Sequence, residues 1–111
     1  MSIVSHTRGD TFERSYILKD AALVPLDLTG ATVAFQIRDP DGSLEVDLSA
    51  YCTLTPLAGR IDLLAPASVM GLPIGPHRFD LQVTYPASPG GVGRVKTYDS
   101  STINIVRDAT L

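Results

Sequence analysis

The side chains able to do chemistry are few and scattered. The 111-residue chain holds two histidines and one cysteine. A hydrolytic triad needs a nucleophile, a base and an orienting acid, and only His6 and His77 are available as the base. His6 falls in residues 1–8, which read as a loose N-terminal segment, and His77 opens a core strand. No nucleophile-elbow pattern exists in the chain. Cys52 sits between Tyr51 and Thr53-Leu54 in strand-like sequence and reads as a small buried hydrophobe. A nucleophilic thiol needs an activating base beside it, and the sequence names none. The lone cysteine also rules out an intramolecular disulfide.

Metal and phosphate chemistry find little more. Asp39-x-Asp41-Gly42 superficially resembles the opening of a calcium loop, but the remaining oxygen ligands and the distal glutamate are missing, so it reads as a turn. Gly90-Gly91-Val92-Gly93 is glycine-rich but leads into a strand instead of a helix N-terminus, which is not a phosphate cradle. Arg8-Gly9-Asp10 spells the integrin-binding tripeptide, a match three residues long in a chain with no secretion signal. A pair of glycosidase-type carboxylates is a three-dimensional arrangement that spacing along the chain does not reveal. Aromatic platforms for sugars need several exposed rings. Of seven aromatics, Phe35, Phe79 and Tyr85 fall on core faces, and only Tyr16, Tyr51 and Tyr98 are candidates for exposure. The expectation is a non-enzymatic chain with no catalytic residue, cofactor or metal.

Composition narrows the class further. Hydrophobic residues make up 44% and charged residues 19%, enough apolar material for one core in a single domain over residues 1–111. Nine basic and twelve acidic side chains give a net charge of −3. The basic residues are spread singly, without the stripe that a nucleic-acid binder shows. The N-terminus has no apolar signal-peptide core, and no window approaches a membrane span. The expected localisation is cytoplasmic synthesis, without nucleic-acid or membrane partners.

The elements that must position any site are strands. Val33, Phe35 and Ile37 alternate with polar neighbours, as do Phe79, Leu81, Val83 and Tyr85. Shorter alternations run through Leu44–Leu48, Ile61–Leu63 and Ile103–Ile105. Period two gives one apolar and one wet face, the mark of antiparallel sheets packed on one side. Less regular strands are expected at Thr11–Leu18, Tyr51–Leu57 and Val95–Ser100. Arg14 shares a face with Phe12 and Tyr16, which suits an edge strand. Asp39-Pro40-Asp41-Gly42 and Pro56-Leu57-Ala58-Gly59 read as hairpin turns, and residues 86–93 as a longer flexible loop. Residues 65–76 hold one helical turn, near 66–71, in a crossover between two sheets. About eight strands with frequent turns predict an all-β fold: a single antiparallel β-sandwich, immunoglobulin-like. In such domains a tyrosine near this crossover bonds back to the backbone. Here His77 holds that position and is expected to supply the polar tip if it faces inward.

Taken in order, several motifs carry a resemblance. Arg8-Gly9-Asp10-Thr11-Phe12 is followed by Asp27-Leu28-Thr29-Gly30-Ala31-Thr32-Val33 and by Ile37-Arg38-Asp39-Pro40-Asp41-Gly42-Ser43. Then come Leu72-Pro73-Ile74-Gly75-Pro76-His77-Arg78-Phe79-Asp80-Leu81-Gln82-Val83, Thr97-Tyr98, and Ile103 through Thr110. The run resembles the immunoglobulin-like β-sandwich domain of phage and prophage tail proteins, including the N-terminal domain of baseplate upper proteins. His77 departs from it, standing where the related domains carry an aromatic.

The resemblance implies a structural protein of a phage or prophage tail, made in a bacterial host and then associated with the virion. It would attach baseplate or fibre parts through protein–protein interfaces, with self-association as one mode. Arg8, Asp10, Arg94 and Tyr98 are the interface candidates. The alternative is a stand-alone module that binds carbohydrate or a host surface.

Overall fold

The structure, a computed structural model, describes residues 3–86 and 93–107. Its strands are β1 (Ile3–Thr7), β2 (Phe12–Ile17), β3 (Thr32–Arg38), β4 (Leu44–Asp47), β5 (Cys52–Thr55), β6 (Arg60–Ala65), β7 (Gly75–Tyr85) and β8 (Arg94–Val106). They form a five-stranded sheet in the order β1-β8-β7-β3-β4 and a three-stranded sheet in the order β2-β6-β5. The fold is an all-β sandwich. Among the described residues no helix is long and apolar enough to cross a membrane.

Side-chain alternation builds the core between the sheets. Phe35 and Ile37 of β3, Phe79, Leu81 and Val83 of β7, and Ile103 and Ile105 of β8 point inward and are buried. Phe12, Ile61 and Leu63 answer from the smaller sheet. The Phe35 and Phe79 rings stack at 5.2 Å, and Phe12 approaches them at 6.2 and 6.3 Å. Each large apolar side chain buried in this way contributes about 1.5–3 kcal/mol.

The turns follow their chemistry. The Asp39 carboxylate accepts the N–H groups of Asp41 and Ser43 at 3.0 and 2.9 Å, and Gly42 takes φ +92° to close the β3–β4 hairpin. A 3₁₀ turn at Pro56–Ala58 joins β5 to β6 and ends on Gly59 at φ +59°. A second, at Ala67–Val69, follows Pro66 in the crossover that carries the chain from β6 in the small sheet to β7 in the large one. The edge position expected from Arg14 also holds, since β2 ends the three-stranded sheet.

Three expectations need correction. The segment 1–8 is not loose throughout, because Ile3–Thr7 is a strand paired with Thr102–Val106. That pair is parallel, so the sandwich is not antiparallel throughout. No hairpin joins β1 to β8, so their relative direction is not set by a turn. The segments 95–100 and 103–105 are parts of one 13-residue strand, β8. A bulge keeps β8 in register with β7: Leu81 faces Asp99 while Gln82 faces Thr97, and Tyr98 is the extra residue. The loop expected over 86–93 lies, for residues 87–92, outside the described residues.

Candidate interaction surface

The two partners of β8 differ greatly in length. On one side β7 accompanies it from Arg94 to Ile105. On the other, β1 covers only Thr102–Val106. Among the described residues no strand runs along the outer side of Arg94–Ser100. An open edge of this kind presents backbone N–H and C=O groups to whatever comes alongside.

Four side chains cluster on that stretch and on β7 beside it. The Arg94 guanidinium lies over the Tyr85 ring, 5.0 Å from its centroid, and the Lys96 ammonium lies 5.2 Å from the Tyr98 centroid. The hydroxyls of Tyr85 and Tyr98 are hydrogen-bonded to each other. Desolvation, helped by that bond and by Tyr98, pushes the Tyr85 hydroxyl up to about 12, with Arg94 pulling the other way. Tyr98 lies two residues past Lys96 and so shares the Tyr85 face of the sheet. Cations held over aromatic faces keep their N–H donors available. Among the described residues neither Arg94 nor Lys96 has a carboxylate within ion-pair distance. Between them Val95 is 60% exposed.

The four interface candidates therefore divide. Arg94 and Tyr98 belong to this cluster. Arg8 and Asp10 lie at the far end of β8: the Arg8 N–H donates to the Val106 carbonyl at 2.9 Å, about 40 Å along the strand from Arg94. The side chains of Arg8 and Asp10 are exposed. The Asp10 carbonyl oxygen is 3.1 Å from His6 Nε2, a contact that ties the β1–β2 turn together. Arg8 and Asp10 share no surface patch with Arg94 and Tyr98.

The same end as Arg94 carries exposed apolar residues that the sequence reading passed over. The Leu26 N–H bonds to Leu18, the Leu28 N–H bonds to Pro56, and Gly30 lies against Pro86. This brings residues 18–31 to the β7–β8 end of the sandwich. Ile17, Leu23, Val24 and Leu57 are exposed there. Leu23 holds φ +63° at the tip of a turn whose Asp20 carboxylate accepts the Ala22 and Val24 N–H groups. The run Ala21-Ala22-Leu23-Val24 was the available signal, since it is apolar without alternation.

The chemistry-bearing residues have structural partners. His77 is 4% exposed, and its Nε2 donates to the Pro73 carbonyl at 2.7 Å. This is the backward bond expected of an inward-facing polar tip. Its Nδ1 lies 2.8 Å from Glu45 Oε1. Burial, and then the charge of Asp47, push the Cys52 thiol up to about 11, and its Sγ lies 3.7 Å from the Leu48 carbonyl. Asp39 and Asp41 form a turn, and no group of three or more His, Cys, Asp or Glu able to hold a metal occurs among the described residues.

No protein-family model matches the chain, and no curated protein matches it.

Proposed function

We propose that this sandwich is a non-enzymatic assembly protein that docks to other proteins, as a structural component of a phage or prophage tail. The observation that carries the docking reading is the open edge of β8 over Arg94–Ser100, with Val95 exposed beside two cations that have no acidic partner among the described residues. A sheet edge offers a ready set of main-chain hydrogen bonds, and alternate side chains supply selectivity. The tail assignment draws on the ordered motifs from Arg8 to Thr110, which resemble the tail β-sandwich domains.

The test is sedimentation. Particles released from the bacterial host are banded on a density gradient, and the chain is quantified across the fractions by mass spectrometry. The expected result is co-banding with tail particles at a fixed ratio to their other components. Recovery only at the top of the gradient, as free protein, would contradict the proposal.

A further inference from the structure

The β8 edge also carries information about what pairs with it. Its regular part is Arg94–Thr97, because the bulge at Tyr98 interrupts the ladder. Arg94 and Lys96 share the inward face with Tyr85 and Val83, and Val95 faces outward. A second copy could pair antiparallel with this stretch in two symmetric ways. Setting Val95 against Val95 places Arg94 opposite Lys96. Setting Lys96 against Lys96 opposes like charges directly. Both arrangements are destabilising, since like charges facing across a strand pair repel. The edge is guarded against itself.

The same pattern suits a different strand. A segment that alternates acidic, apolar, acidic would place carboxylates opposite Arg94 and Lys96 and an apolar side chain opposite Val95. The two cations are already held over the Tyr85 and Tyr98 rings, so little side-chain freedom is lost when a carboxylate arrives. The chain's own Glu45-Val46-Asp47 has this alternation. Its carboxylates are occupied, Glu45 by His77 and Asp47 by the N–H and hydroxyl of Ser49.

Resting on the docking reading above, we infer that the β8 edge takes an extended acidic–apolar–acidic segment of a partner protein by strand addition at Arg94–Thr97.

The test uses the full chain, ¹⁵N-labelled, and two capped heptapeptides. One carries glutamates at alternate positions around a central valine; the other carries lysines there. Saturable amide shifts confined to the Arg94–Ser100 region are expected with the glutamate peptide, and binding of the lysine peptide at least about tenfold weaker. In Arg94→Glu/Lys96→Glu, whose native spectrum serves as the folding control, the preference should reverse. Equal binding of both peptides, shifts centred elsewhere, or no saturable shift up to about 5 mM would overturn the inference. If the chain nevertheless bands with tail particles, the assembly reading stands and only the acidic strand is lost.

Discussion

The Tyr16 hydroxyl on β2 donates to Asp99 Oδ2 on β8 at 2.7 Å, joining the two sheets where β8 emerges from beside β1. Arg14 Nε donates to the Tyr16 hydroxyl at 2.8 Å, and the Arg14 guanidinium lies over the Phe79 ring. Ser101 Oγ donates to Asp99 Oδ1 at 2.6 Å. This explains why a cation sits on the inner face of β2. Asp99 thereby ties β2 of the small sheet to β8 of the large one.

Removing the acceptor should cost more than removing one donor. Asp99→Ala strands Arg14 and Tyr16 together and should cost about 3 kcal/mol. Tyr16→Phe loses one hydrogen bond and should cost about 1 kcal/mol. Urea unfolding measures both. An Asp99→Ala cost no greater than that of Tyr16→Phe would show that this tie does not hold the sheets.

Burial first, and then the bond to Asp99, push the Tyr16 hydroxyl well above its ordinary value of 10.0. Tyr85 is shifted in the same direction. A raised folded value means that the native state holds the proton more tightly than the unfolded chain does. This contribution is fully present below pH about 10 and is lost as pH rises above it. Stability should therefore fall between about pH 10 and 12, and Tyr16→Phe should flatten that fall. An unchanged alkaline slope in the variant would contradict the assignment.

His77 is expected to behave as a core residue. Each of its ring nitrogens meets an oxygen, Pro73 on one side and Glu45 on the other. His77→Ala should cost about 2–4 kcal/mol through the cavity and the lost bonds. Glu45→Gln should cost under about 1 kcal/mol, since that side chain also reaches solvent. Thermal unfolding of the two variants checks the order.

Gly59 has no room for a side chain. A Cβ there would lie 2.5 Å from the Leu18 carbonyl oxygen and 2.9 Å from the Leu26 nitrogen, both backbone atoms. Its φ of +59° adds strain for any other residue. Gly59→Ala should destabilise by more than about 2 kcal/mol, whereas Gly71→Ala, which meets nothing within 4 Å, should stay within about 1 kcal/mol. Comparable costs at the two sites would contradict this reading.

The elements that were legible in the sequence are those whose alternation is clean. Phe35, Ile37, Phe79, Leu81, Val83, Ile103 and Ile105 all point inward as the period of two predicts. β1 was missed because its inner positions are Val4 and His6 while Ile3 is exposed, so polarity runs against burial. Its parallel partner is also about 100 residues away, with no turn to announce the pairing. At the candidate surface Arg94 and Tyr98 are singled out by the sequence, and Tyr85 falls on the core face as its alternation with Val83 predicts, whereas Lys96 carries no signal. The bulge at Tyr98 shifts the phase of β8, and strict alternation cannot show which rings meet which cations.

The most direct test of the β8 edge as the docking surface is site-specific photocross-linking inside purified tail particles, the assembly to which the chain is proposed to belong. A benzophenone amino acid replaces Val95 in one variant and Ser43, on the exposed β3–β4 turn at the far end, in another. Adducts to a second component of the same particle should form from position 95 and not from position 43. Adducts from position 43 alone, or none from position 95 while the chain is present in the particle, would contradict the account.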